Sequence, residues 1–325
     1  MVVRKPLLAA TIESPEELKL VRFPVYVSPK IDGFRGMTNE NGEPHTRKGE
    51  PFQNPDFTDA MKVFNQPNLD FEIGIGPAVK NKKFFSLTSG WLRSEDYGVP
   101  VPSYPNKVHD QTPVTLYIFD KIVPGMTFDE RWQKNRTPNV GFYELKIKTG
   151  YLLIEVQWVP QILIHTIEEF WLWEQKFYDA GWEGIMIRGS LTTAAYKHGR
   201  ASMKSQELMK YKRFKDEEGT IIGFEEQKTN TNEKTVDAFG HSKRSSAKAG
   251  KVPNGHAGKL IVSCPSFEEP VKIGTGLGLT KALRKHMWEN QDQYIGRTVT
   301  FWHQPGSDYV KARFPSFKGF RDDGL

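Results

Sequence analysis

The chain has 325 residues, which suits two domains with a core each. Its 38% hydrophobic content is that of a globular protein, no apolar run approaches the ~20 residues of a membrane span, and Leu7–Ala10 is too short for a signal peptide, so a cytoplasmic protein with no membrane partner is expected. The single cysteine, Cys264, excludes an internal disulfide and any four-cysteine zinc module, while a net charge of +6 permits a polyanionic partner without requiring one.

In chain order, short β-branched and aromatic runs bounded by turn residues predict strands at Val25–Val27, Asp70–Ile75, Val114–Phe119 and Gly184–Ile187. Lys80–Asp110 is polar and rich in Gly, Pro, Ser and Tyr, and reads as a surface insertion. Ile167–Ala180 carries apolar residues at helical spacing, with Gly181 as its stop. Lys215–Gly219 is charged and reads as a hinge. Beyond it, strands are predicted at Thr220–Phe224, Leu260–Ser263, Val271–Ile273 and Thr298–Phe301, with a polar loop at Gln227–Lys259 and a short helix at Thr280–Trp288. Short strands plus one helix in about 110 residues suit a small barrel such as an OB-fold. Cys264 follows an apolar run and reads as a buried strand residue.

The segment Pro29–Lys30–Ile31–Asp32–Gly33–Phe34–Arg35 carries the chemistry. In an extended segment Lys30 and Asp32 point to one side, and Gly33 permits a tight turn that brings Arg35 back toward the lysine. A lysine becomes nucleophilic only when it loses its proton, which desolvation and cationic neighbours favour. Read alone, Asp32–Gly33 is also an ordinary turn dipeptide.

Lys30-x-Asp32-Gly33-x-Arg35 resembles the nucleotidyl-lysine signature of the superfamily of ATP-dependent DNA ligases, RNA ligases and mRNA capping enzymes. Further segments resemble that superfamily in the expected order. They are Thr46–Arg47–Lys48–Gly49, then Leu69–Asp70–Phe71–Glu72, where Phe71 stands in place of the usual glycine, and Tyr117–Ile118–Phe119–Asp120. Glu183–Gly184–Ile185–Met186–Ile187–Arg188, Tyr196–Lys197–His198–Gly199–Arg200 and Leu208–Met209–Lys210–Tyr211–Lys212 follow. In the second half, Val271–Gly278 is similar to the glycine-rich strand region of ligase OB domains, and Arg313–Phe317 with Arg321–Asp323 loosely resembles the C-terminal element. The resemblance covers nearly the whole chain and looks closest to the small two-domain bacteriophage DNA ligases.

The resemblance implies an α+β protein. Residues 1–214 would form an N-terminal nucleotidyltransferase domain (an ATP-grasp-like adenylation domain of antiparallel sheets and helices), and residues 215–325 a C-terminal OB-fold β-barrel that binds DNA. Lys30 would carry AMP. Arg35, Arg47, Glu72, Phe119, Arg200, Lys210 and Lys212 would bind ATP, with Phe119 stacking on adenine. Glu72 and Glu183 would hold Mg²⁺, Arg321 would orient pyrophosphate, and nicked double-stranded DNA would be the partner of a monomeric enzyme. The basic residues Lys243, Arg244, Lys248, Lys251 and Lys259 could track a phosphate backbone or belong to a solvated loop. An RNA ligase, a capping guanylyltransferase and a non-catalytic basic OB-fold module are the alternatives. An NAD⁺-dependent ligase is disfavoured, because only 29 residues precede Lys30 and one cysteine cannot build its zinc module.

Overall fold

Successive side chains of a strand point to opposite faces, and Leu69–Ile75 uses this fully. Leu69, Phe71, Ile73 and Ile75 enter an apolar core while Asp70 and Glu72 face the other way. The same two-residue period organises the rest of the first half of the molecule. The computed structural model describes residues 4–81, 83–95, 112–135, 140–189, 196–276, 278–304 and 312–321. The chain divides into two compact units, Met1–Lys212 with Asp237–Gly240, and Arg213–Val236 with His241–Leu325.

The first unit runs β1 (Leu7–Leu8), β2 (Ala10–Ile12), β3 (Val25–Pro29), β4 (Phe34–Thr38), β5 (Pro44–Thr46), α1 (Pro55–Phe64), β6 (Leu69–Ile75), α2 (Phe84–Leu92), β7 (Val114–Lys121) and α3 (Phe128–Asn135). It continues with β8 (Gly141–Ile147), β9 (Gly150–Trp158), β10 (Ile162–Ile164), α4 (Ile167–Ala180), β11 (Ile185–Gly189), β12 (Gly199–Arg200) and β13 (Met209–Tyr211). Two sheets dominate. One has the order β5-β4-β6-β7-β9-β8, the other β10-β3-β11-β13-β2. Both are mixed rather than purely antiparallel, because β7 runs parallel to β9 and β13 parallel to β2.

Each sheet buries its outer face under helices. In the six-stranded sheet, Phe71, Ile73, Leu116 and Ile154 pack with Phe57 and Met61 of α1 and Trp91 of α2. In the five-stranded sheet, Val25, Val27, Ile185, Ile187 and Met209 pack with Phe170 and Phe177 of α4. Helix α4 spans the predicted residues. Thr166 caps its start by accepting from the Glu169 amide at 3.2 Å, and Gly181 stops it with φ 91°. The expected insertion at Lys80–Asp110 is only partly so. Residues 96–111 lie outside the described residues, but Phe84–Leu92 is a helix that buries Phe84, Trp91 and Leu92. The polar average of the long segment hid its nine helical residues.

The second unit contains β14 (Lys215–Asn230), β15 (Lys234–Val236), β16 (Ser242–Arg244), β17 (Lys251–Ser263), β18 (Val271–Gly274), α5 (Lys281–Glu289), β19 (Thr298–Gln304) and β20 (Arg313–Phe320). Strands β14-β17-β18-β20-β19 close into a five-stranded barrel around Ile221, Leu260, Val262, Ile273, Val299 and Phe301. Cys264, just past β17, is buried against this core. Two expectations fail here. Lys215–Gly219 is no hinge but the start of β14, paired residue by residue from Lys215–His303 to Gly219–Val299. Its charges are met across the barrel, Asp216 by Lys318 and Glu218 by Arg321. Gln227–Lys259 is no plain loop. β14 and β17 extend into it, paired out to Asn230–Lys251, with the β15–β16 hairpin between them. Both stretches are polar on both faces, so the period-2 signal of a half-buried strand is missing. Leu277, Asp322 and Asp323 lie outside the described residues.

Thr166→Ala removes the oxygen that satisfies the first turn of α4. A loss of about 1 kcal/mol is expected. It is read as a lower urea midpoint at unchanged slope, and an unaltered midpoint would contradict the capping role.

Candidate active site

The inner faces of the two sheets bound a cleft of about 520 Å³. That is within the usual range for a small-molecule site. Its wall includes Ser28, Lys30, Arg35, Arg47, Glu72, Phe119, Met186, Arg188, Arg200 and Lys210. Of the residues singled out from sequence, Lys30, Arg35, Arg47, Glu72, Phe119, Arg200 and Lys210 therefore meet in one place. Glu183 and Lys212 do not line the cleft but attach to it through Lys30.

Lys30 follows β3, and its amide donates to the Gly184 carbonyl at 2.9 Å, which fixes the lysine beside β11. Its ammonium donates to Glu183, whose other oxygen accepts from Lys212. Burial pushes the Glu183 carboxyl up, but the two ammoniums outweigh it and hold it well below the usual range. Burial and the positive charge of Lys30 push Lys212 down. Lys210 is pushed down by burial and by Lys30, Arg200 and Arg47.

Gly33 serves a close approach rather than a left-handed turn. A Cβ there would lie 2.5 Å from the Ile73 carbonyl oxygen and 2.6 Å from Glu72 Cγ. The residue after Asp32 must be glycine for the segment to lie against β6. Arg35 pairs opposite Glu72 and makes a two-pronged bond to Asp70, Nε at 2.8 Å and Nη2 at 2.7 Å. Its guanidinium also sits 4.7 Å from the centre of the Phe119 ring. The Tyr196 hydroxyl donates to Asp70 and accepts from the Leu7 amide at 2.8 Å. Phe71, which departs from the family pattern, leaves the cleft untouched. It is fully buried on the core face, and its ring fills the place where a Cβ on Gly36 would stand, at 2.7 Å.

A β-bulge shapes the wall at Phe119. Phe71 pairs with Ile118 and Asp70 with Asp120, so β7 carries one extra residue, Phe119, against β6. Without it Asp120 would fall on the apolar face with Leu116 and Ile118. With it Asp120 joins the inner face, where Arg131 binds it at 2.8 and 2.9 Å and Arg188 at 2.7 Å. Arg188, the last residue of the segment that begins at Glu183, is thus a buried strut between β11 and β7, stacked on Phe128 at 4.0 Å. Asp70, Asp120 and Tyr196 stand within the motifs, but the motifs assign them no role. The alternation of Asp70 and Glu72 in an otherwise apolar strand was the available signal for Asp70. Arg131 carried none.

Among the described residues no cluster of three or more His, Cys, Asp or Glu side chains is present. The acids beside Lys30 are Glu72 and Glu183, close enough for each charge to raise the other's cost. Two carboxylates fit a hard cation that completes its shell with phosphate and water oxygens. Arg47 and Arg200 are exposed, and Arg200 donates to the Ala9 carbonyl at 3.2 Å.

Burial, with Asp70 and Glu183 adding to it against the pull of Arg35 and Lys30, raises Glu72 from 4.5 to about 7. Between those values the folded chain holds a proton that the unfolded chain lacks. Stability is therefore gained at low pH and lost as pH rises through about 7. Glu72→Gln, never charged, should match the parent near pH 5 and exceed it at pH 8 by on the order of 2 kcal/mol. Denaturant melts at the two pH values measure this, and an equal difference at both would contradict it.

No protein-family model matches the chain, and no curated protein matches it. Solved structures do. The Chlorella virus DNA ligase–adenylate is 25% identical, with 98% of this chain and 100% of that chain covered and a TM-score of 0.50. A structure of a Lig E DNA ligase is 22% identical, with 98% and 100% covered and a TM-score of 0.62. No helix among the described residues is long and apolar enough to cross a membrane. The motifs and the fold point the same way over the whole chain: it resembles the small ATP-dependent DNA ligases of the covalent nucleotidyltransferase superfamily.

Proposed function

We propose that the protein is an ATP-dependent DNA ligase that seals nicks between 3′-hydroxyl and 5′-phosphate ends through an AMP carried on Lys30. The observation that carries this is the convergence on one cleft of Lys30, Arg35, Glu72, Phe119 and Lys210, residues spread over 180 positions of sequence. The full-length likeness to a DNA ligase–adenylate supports it. The first unit would be the adenylation domain. The second would be a DNA-binding OB-fold, supported by the barrel order β14-β17-β18-β20-β19, by its parallel β18–β20 contact, and by α5 between β18 and β19.

In the first step the Lys30 amine, neutral and parted from Glu183, attacks the α-phosphorus of ATP. A P–N bond forms, the bond to pyrophosphate breaks, and the lysine proton leaves to solvent. The 5′-phosphate of a nick then displaces Lys30 from AMP. Finally the 3′-hydroxyl attacks that phosphate and AMP departs. Each step moves a phosphoryl group, so positioning and charge neutralisation carry the catalysis. Arg35, Arg47, Arg200, Lys210 and Lys212 are the cations for this role, Asp70 and Tyr196 orient Arg35, and Phe119 offers a flat face to the base. Glu72 and Glu183 are the residues that would hold Mg²⁺, which when bound offsets phosphate charge. Nicked duplex DNA is the proposed partner and a monomer the proposed state.

The test is incubation of pyrophosphate-treated protein with α-labelled ATP or, in parallel, α-labelled GTP, and Mg²⁺, denaturing electrophoresis, then a chase with nicked duplex DNA or nicked RNA. Label on the protein that is lost on adding nicked DNA, with sealed product, is expected. A GMP adduct, or discharge by nicked RNA alone, would contradict the DNA ligase reading. Lys30→Ala should take no label. Lys212→Ala should take label on the order of a hundredfold more slowly, the usual cost of removing one charge-stabilising donor. Labelling of Lys212→Ala at the parent rate would exclude that role.

A further inference from the structure

The five-stranded sheet presents one cross-strand row of residues to the cleft. Met186 of β11 pairs with Ser28 of β3 on one side and with Lys210 of β13 on the other. On the far side of β3, Ile162 pairs with Val27, and the next step of that register sets Gln161 opposite Ser28. Val27 and Ile162 pack into the core beneath the sheet, so Ser28 and Gln161 lie on the cleft side, and both line it. The row therefore grades from an amide at Gln161, through a hydroxyl and a thioether, to an ammonium at Lys210. Its cationic end suits phosphates. Its amide end adjoins the apolar group of Ile31, Val159 and Phe119, which suits a flat base.

Gln161 is half-buried, and its orientation is decided by chemistry. Its amide lies 3.3 Å from the Val159 carbonyl oxygen, which can only accept, so the amino group must face that carbonyl. The amide oxygen is left as an acceptor for whatever occupies the cleft. The 6-amino group of adenine is a donor, while the 6-oxo group of guanine is an acceptor that this oxygen would repel.

We propose that Gln161 selects the base, its amide oxygen taking the 6-amino group of adenine. This rests on the lysine-adenylation reading above. A site built to hydrogen-bond a substrate group discriminates against the analogue lacking it. The probe is purine riboside triphosphate, which is ATP without the 6-amino group, compared with ATP and GTP in labelling of Lys30 on the full chain after pyrophosphate treatment. The parent protein should need about tenfold more of the analogue than of ATP for half-maximal labelling. Gln161→Leu should need about tenfold more ATP than the parent while leaving the analogue's requirement unchanged, and should narrow the preference over GTP. Equal use of ATP and the analogue by the parent would overturn the proposal without recourse to any variant. So would a Gln161→Leu protein that weakens both to the same degree. Absence of any label from ATP would overturn the adenylation reading and this one with it, whereas label without selectivity at the 6-position overturns this one alone.

Discussion

The site is organised by one carboxylate. Glu183 sits just before β11, between the end of β3 and the end of β13, and accepts from Lys30 on one oxygen and Lys212 on the other. Two half-buried ammoniums at this spacing would repel each other strongly without it. Their approach depends in turn on Gly184, where a Cβ would stand 2.5 Å from the Tyr211 carbonyl oxygen. The glycine lets three strands converge, and the glutamate makes their convergence electrostatically tolerable. For Lys30 to act as a nucleophile this ion pair must part, so the ground state holds the lysine in position but not in its reactive form.

A second layer of charge fixes the walls. Asp120 on β7 binds Arg188 on β11, which ties one sheet to the other, and Arg131 of α3 completes the cluster. All three are almost wholly removed from solvent. Such clusters contribute little net stability, yet removing one member leaves uncompensated buried charge. Their value here is positional. Arg188 sets the separation of the sheets, Asp70 and Tyr196 set Arg35, and the bulge at Phe119 is what turns Asp120 toward its partners.

Much of this was legible because strands encode faces. Phe71 between Asp70 and Glu72 already assigns a core face and a site face, and Ile167–Ala180 carries its own cap and stop. The ordered motifs name Lys30, Arg35, Arg47, Glu72, Phe119, Arg200 and Lys210, all of which line the one cleft. What stayed hidden depends on partners distant in sequence. Lys215–Gly219 looks like a hinge until His303 and Lys318 are known to lie beside it. The mixed sheets follow from β7 meeting β9, and β13 meeting β2, which no local pattern announces. Gln161 carries no local signal, because its meaning lies in the register of β10 against β3.

The central claim is that Lys30, and no other lysine of the cleft, carries the nucleotide. The direct measurement is proteolysis and peptide mass mapping of the protein after exposure to ATP and a divalent cation. One AMP on the peptide containing Lys30, with Lys210 and Lys212 unmodified, is the predicted result. An adduct on either of those lysines, or no adduct on protein first stripped with pyrophosphate, would contradict the account.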